Sequence, residues 1–206
     1  RFRINAFKAQ GRFGLVMRVI PLTTPTIDSM GLPAVLKDIC QAPQGMVLVT
    51  GPTGSGKSTT LASMIDHMNQ MQPLHIVTIE DPVEFIYTDK MSTINQRQLG
   101  NDVKTLGEAL KRVLRQDPDV ILMGEMRDVE TIELAMHAAE TGHLVFSTLH
   151  TNDAKQTLDR IVDTFPAESH HQVRAMLALT LQAVVSQRLI RRADGAYVVT
   201  DLSSSN

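Results

Sequence analysis

The stretch GPTGSGKSTT at residues 51–60 constrains this chain more than any other. It fits G-x-x-x-x-G-K-[ST] through Gly51, Gly56, Lys57 and Ser58. Before it, Met46 to Thr50 is an apolar run that predicts a buried strand. After it, Leu61, Met64, Ile65 and Met68 recur at helical spacing between Lys57 and about Met71. A strand, a glycine loop and a helix in that order make a cradle for phosphates. Gly51, Gly54 and Gly56 let successive N–H groups converge on phosphate oxygens because no Cβ blocks the tight path. Pro52, Thr53 and Ser55 complete the loop, and the helix beginning near Lys57 adds its positive end. Lys57 would reach the β- and γ-phosphates of ATP, Ser58 would supply a ligand to Mg²⁺, and Thr59 would lie near the α-phosphate.

From Gly45 onward strands and helices alternate, the pattern of an α/β domain. Strands are expected at 75–80, 119–125 and 144–150. Helices are expected at 105–115, 129–142, about 155–162 and 170–189, with a short strand pair around STINQRQ. Ahead of this domain, a short helix spans Val35 to Cys40. Residues 21–33, with three prolines and no periodicity, predict a linker. RFRINAF and GRFGLVMRVI within residues 1–20 predict a strand pair, with Phe2, Ile4 and Ala6 on one side and arginines on the other. The division is then 1–20, the last strands of an N-terminal domain; 21–33, a linker; and 34–206, the nucleotide domain. A first residue other than Met, inside a strand, and a last strand that breaks off in DLSSSN suggest a piece truncated at both ends.

Acids that hold a metal and align a water belong at the carboxyl ends of strands in such a sheet. Glu125 emerges just past DVILM, and Glu80 and Asp81 close HIVTIED at another strand end. His150 lies at the carboxyl end of the strand expected at 144–150, whereas His143 precedes it. That spacing puts His143 at the opposite end and makes no helical metal pair.

Bulk properties narrow the partners. Twenty Lys and Arg against 22 Asp and Glu give a formal charge of −2, and the chain has two Tyr and no Trp. Neither a concentrated basic face nor aromatic stacking platforms are advertised, so stable nucleic-acid binding is not expected. One cysteine, Cys40, cannot form an intrachain disulfide or a multi-cysteine zinc site. Apolar runs such as MVLVT and VILM are far shorter than the roughly 20 residues of a membrane-spanning helix.

The segments TGPTGSGKSTTLASMID, HIVTIEDPVEF, INQRQLG, LRQDPDVILMGEMRDVETIELAMHAAETGHLVFSTLHTNDA, RIVDTFP and LQAVVSQRL together resemble the type II/type IV secretion ATPase superfamily, and within it the retraction ATPases of type IV pili. The resemblance covers nearly the whole chain. It implies a RecA-like P-loop ATPase core with a mostly parallel sheet flanked by helices, preceded by the end of a PAS-like N-terminal domain. It further implies a homo-hexameric motor at the cytoplasmic side of the inner membrane, attached to a pilus platform protein and driving pilin disassembly. An assembly or secretion ATPase of the same superfamily, a nucleic-acid translocase and a non-hydrolysing scaffold are the alternatives.

Position by position, residues 51–59 match the Walker A loop, and VTIEDP matches the acidic box with Glu80 and Asp81. Residues 119–125 match Walker B, with Glu125 the implied catalytic glutamate; Ser58, Glu80, Asp81 and Glu125 are the implied Mg²⁺-side groups. His143 and His150 match the two nucleotide-sensing histidines, a role the strand spacing does not suggest for His143. Arg1, Arg3 and Arg18 match arginines that approach the γ-phosphate across a domain or subunit boundary, although alternating arginines on a strand are ordinarily a solvated face. Arg127 is similarly placed to join a network near the site. The four-cysteine zinc element of type II secretion relatives is not expected.

Overall fold

Alternating residues at the start of the chain form β1 (Phe2–Ala9) and β2 (Arg12–Val19), an antiparallel hairpin in the computed structural model. The structure describes residues 2–21, 23–191 and 193, and the backbone of 197–200. The tight connection is Gln10–Gly11, both at positive φ (50° and 76°), the twist that two-residue hairpins require. Cross-strand register puts Phe2, Ile4 and Ala6 opposite Val19, Met17 and Leu15 on one face and sets Arg3 opposite Arg18 on the other. The apolar face is solvent-exposed, with Phe13 at its tip 85% accessible.

After α1 (Val35–Ile39) the chain enters β3 (Gly45–Thr50), the phosphate loop and α2 (Lys57–Met71). There follow β4 (His75–Glu80), β5 (Thr93–Gln98), α3 (Leu106–Val113), β6 (Val120–Met123), α4 (Val129–Glu140) and β7 (Leu144–Leu149). The remaining elements are α5 (Ala154–Asp163), α6 (His170–Thr180), β8 (Leu181–Ser186), and an antiparallel pair of β9 (Arg188–Arg191) and β10 (Tyr197–Thr200).

Six of these strands form one sheet in the order β5-β4-β6-β7-β3-β8, and every neighbouring pair in it is parallel. Its central strands are covered on both faces, which is why they read as mostly apolar runs without a polar alternation. On one face Val77, Ile121 and Val145 pack with Leu110 of α3 and Ile132 and Met136 of α4. On the other, Val47, Ile76 and Phe146 pack with Leu36 of α1 and Met64 and Ile65 of α2. This is the RecA-like three-layer P-loop ATPase fold.

Two expectations are corrected. STINQRQ forms a single strand, β5, which pairs parallel to β4 at the sheet edge. The expected helix 170–189 ends at Thr180, and residues 181–186 form β8 beside β3. Val173, Leu177, Leu181 and Val184 continue the helical spacing, so periodicity alone runs straight through the break. The backbone leaves the helix at Leu181 (φ −73°, ψ 116°), and the β-branched pair Val184–Val185 fills the open slot along β3.

Helix starts differ in a way that bears on the site. Thr105, Asp128 and Asp153 accept amide hydrogen bonds at the starts of α3, α4 and α5. Helix α2 starts on Gly56 at φ 90°, and no side chain caps it. Its first N–H groups, which have no partner inside the helix, are left for an anion.

Candidate active site

Because the strands are parallel, their carboxyl ends lie along one edge of the sheet. Four adjacent strands, β4, β6, β7 and β3, deliver Glu80, Glu125, His150 and Gly51 there in spatial order. A cleft of about 690 Å³ runs along this edge, bounded by the loop and the start of α2 from Thr53 to Thr59, by Glu80, Asp81 and Glu125, and by Arg18 of the hairpin.

Within the loop, Gly51, Gly54 and Gly56 have φ of 140°, 81° and 90°. A Cβ on Gly51 would lie 2.2 Å from the Gln187 carbonyl oxygen, so only glycine allows this close passage. Lys57 is buried and donates to the carbonyl oxygens of Gly51 (2.8 Å) and Pro52 (3.2 Å), which hold its ammonium inside the loop. Burial pushes its pKa down, opposed by the Glu125 and Glu84 carboxylates. The Lys57 ammonium also stands 3.4 Å from His150 Nδ1. An ammonium has only donors, so Nδ1 accepts and the ring proton sits on Nε2. Nε2 faces Glu125 Oε2 at 3.4 Å.

Glu125 is fixed from behind. The Gly124 N–H donates to Ile79 O (2.8 Å), and the Thr148 hydroxyl donates to Gly124 O (2.6 Å). Arg127 donates to Glu125 Oε2 at 2.7 Å. Burial raises the Glu125 pKa, but the Arg127 hydrogen bond and the His150 ring outweigh it and hold the carboxyl below the usual range. Both contacts fall on Oε2, which leaves Oε1 to accept from a water.

Glu80 sits in a different environment. It is buried, and its Oε1 accepts from the Thr78 hydroxyl (2.7 Å) and Gln96 Nε2 (3.1 Å). Burial wins over these hydrogen bonds, and the pKa is raised. Gln96 also donates to Phe85 O and accepts from the Tyr87 N–H, while Gln98 accepts from the Val83 N–H. The edge strand β5 thereby fastens the segment after Glu80.

A stability prediction follows from Glu80. The folded chain holds its proton more tightly than the unfolded chain, so this residue lowers stability as pH rises from the unfolded carboxylate range through the folded-state value. Glu80→Gln keeps an acceptor for Thr78 and Gln96 without the buried charge. Its melting temperature at neutral pH is expected to exceed wild type by about 2–4 °C for each kcal/mol relieved, and the gain should vanish in acid. A lower melting temperature for the variant at neutral pH would refute this.

The structure does not bring every expected residue to the cleft. His143 lies at the amino end of β7, where its Nδ1 donates to Ala138 O (3.0 Å) at the close of α4; about 20 Å of strand separates it from His150. Arg18 lines the cleft, whereas Arg3 stands across from it in the hairpin without lining the cleft. Arg1 lies outside the described residues. Thr148, Gln96 and Gln187, which support the site from behind, lie inside segments that carry the resemblance, but the sequence assigned none of them a role. Ser58, Glu80, Asp81 and Glu125 can face a Mg²⁺, and the uncapped start of α2 beside a buried ammonium fits triphosphate–Mg²⁺. Among the described residues no three His, Cys, Asp or Glu side chains form a ready-made metal cage, so phosphate oxygens would complete the coordination.

Comparison with known proteins identifies the family. The family described as type II/IV secretion system protein matches residues 3–200. The type IV pilus retraction ATPase PilT of Pseudomonas aeruginosa is 54% identical over 198 residues, covering 96% of this chain and 58% of that protein. A twitching motility protein of Neisseria gonorrhoeae is 55% identical over 195 residues, covering 95% of this chain and 52% of that protein. The crystal structure of the pilus retraction motor PilT with bound ADP superposes with a TM-score of 0.97 at 50% identity, covering 100% of this chain and 60% of that one. The chain thus spans somewhat more than half the length of the curated relatives it matches.

Proposed function

The chain belongs to the type II/IV secretion system protein family, and from that membership we propose that it is the ATP-hydrolysing core of a motor that retracts type IV pili. The observation that carries the reading is the meeting of Lys57, Glu80 and Glu125 on one cleft edge at the uncapped start of α2. Identity above 50% to proteins named for pilus retraction and twitching motility supports retraction as the direction of force.

The triphosphate would lie along the N–H groups of residues 54–59, with Lys57 between the β- and γ-phosphates. Mg²⁺, when bound to Ser58 and the phosphates with the acids close by, supplies charge neutralisation. Glu125 Oε1 accepts a hydrogen bond from a water and aims its oxygen at the γ-phosphorus. As that P–O bond forms, the water's proton passes to Glu125 Oε1 and the bond to the β–γ bridging oxygen breaks, giving ADP and inorganic phosphate. Glu80 supports the water and the metal side. Glu125 is ionised for this task because Arg127 and His150 hold its pKa down.

Arg18, with Arg3 opposite it in the hairpin and Arg1 near Arg3 in sequence, would neutralise charge on the transferred phosphoryl group, a contribution worth about 10³ to 10⁵ in rate for an arginine finger. Arg18 and Lys57 belong to segments joined through the linker, so hydrolysis would require the hairpin to close on the nucleotide. In a homo-hexamer each closure would become a displacement passed to a platform protein at the inner membrane, with the ring on its cytoplasmic side. No helix among the described residues is long and apolar enough to cross a membrane. His143, remote from the cleft, would act only by relaying the state of α4 and β7.

Deleting the gene in its native cell tests the direction. Retraction predicts that pili accumulate while twitching stops; loss of pili would assign the motor to assembly instead. Mixing full-length subunits carrying Arg3→Ala and Arg18→Ala with subunits carrying Lys57→Ala tests the source of the arginines. Partial recovery of turnover is expected if they act between subunits, and its absence would confine them to their own chain.

A further inference from the structure

We propose that Gln187 is a positioning residue that sets the direction of the Gly56 N–H in the phosphate cradle. It is 2% exposed and stands directly after β8, far along the chain from the loop it contacts. Its backbone N–H donates to Thr50 O at 2.8 Å, and its carbonyl oxygen occupies the space that a Gly51 Cβ would need. Its side-chain Nε2 donates to Ser55 O at 2.6 Å, and its Oε1 accepts from the Thr60 hydroxyl at 2.8 Å. One residue therefore grips the start of the loop, its middle and the first turn of α2.

The grip on Ser55 O carries the inference. In a trans peptide the carbonyl and the following N–H point in opposite directions. Drawing the Ser55 carbonyl toward Gln187 turns the Gly56 N–H away from it, to the side where the helix start opens. Nothing in the loop itself enforces that choice, because glycine at 56 tolerates either orientation of the preceding peptide. Without the amide donor the buried Ser55 carbonyl would be unsatisfied, and rotating the peptide to satisfy it would carry the Gly56 N–H off the phosphates. Gln187 so acts through the loop, without touching the nucleotide.

This inference rests on the nucleotide reading of the cleft. The test uses the full-length protein and fluorescent ADP and ATP, with Gln187→Met, which keeps the length but removes the donor, and Gln187→Glu. Both variants are expected to melt as folded proteins without nucleotide. Gln187→Met should bind ADP and ATP about 5- to 100-fold more weakly, the range for a buried carbonyl left without its donor. KM should rise by that factor with kcat changed much less, the mark of lost binding common to ground and transition states. Gln187→Glu regains a donor only when protonated, so its affinity relative to wild type should improve as pH falls. Wild-type affinity in Gln187→Met, or a pH-independent ratio for Gln187→Glu, would overturn the proposal. Loss of the melting transition in both variants would assign Gln187 a purely structural role. Failure of the wild-type protein to bind ADP would sink the nucleotide reading itself, a distinguishable result.

Discussion

Lys57→Ala in the full-length protein is expected to reduce ATP turnover by about 10²- to 10⁴-fold, with nucleotide binding weakened in parallel. The size follows from burial. Lys57 is 8% exposed, and two loop carbonyls and His150 surround its ammonium. A phosphate brought to the start of α2 meets that charge at low local dielectric, and deleting one partner of a buried pair costs about 3–5 kcal/mol. The alanine variant also leaves the Gly51 and Pro52 carbonyls without their donor, so the empty loop should lose order as well. Fluorescent-nucleotide titration beside a phosphate-release assay checks both parts. A variant that turns over ATP within tenfold of wild type would remove Lys57 from the mechanism.

Glu125→Gln should separate what Lys57→Ala loses together. The amide keeps the shape and still meets Arg127, so ATP should bind with near wild-type affinity. It cannot draw a proton from water, and turnover should fall about 10²- to 10⁴-fold. The pH dependence sharpens this. Arg127 and His150 hold the Glu125 pKa below the ordinary carboxylate range, so wild-type activity should persist at pH values where an unperturbed glutamate would already be protonated. Full turnover by Glu125→Gln would shift the water-orienting role to Glu80. An early acidic fall in the wild-type profile would show that the Arg127 contact does not survive nucleotide binding.

The ends of the buried strands were legible for a physical reason. A strand covered on both faces is mostly apolar, so the first acid beyond HIVTI or VILM marks the sheet edge, and Glu80 and Glu125 fall there. The loop was legible because glycines, lysine and hydroxyl occupy fixed offsets. What sequence could not show was any contact between distant strands. Gln187 reads as one more polar residue in an amphipathic stretch, and only the insertion of β8 beside β3 puts it under the loop. Gln96 and Gln98 are ordinary edge-strand residues until β5 pairs with β4 and turns them toward the segment after Glu80. His143 shows the converse. The strand spacing assigned it to the far end, and the structure puts it there, at the close of α4.

The place of β3 between β7 and β8 has a consequence for biosynthesis. Thr50 meets Ser186 hydroxyl to hydroxyl at 3.1 Å across a sequence separation of 136 residues, so this contact waits until β8 has left the ribosome. Closing so distant a pair is a slow entropic step. The ATP cradle is therefore translated early and completed late, and a nascent chain stalled before β8 would present the glycine loop without the strand that shapes it.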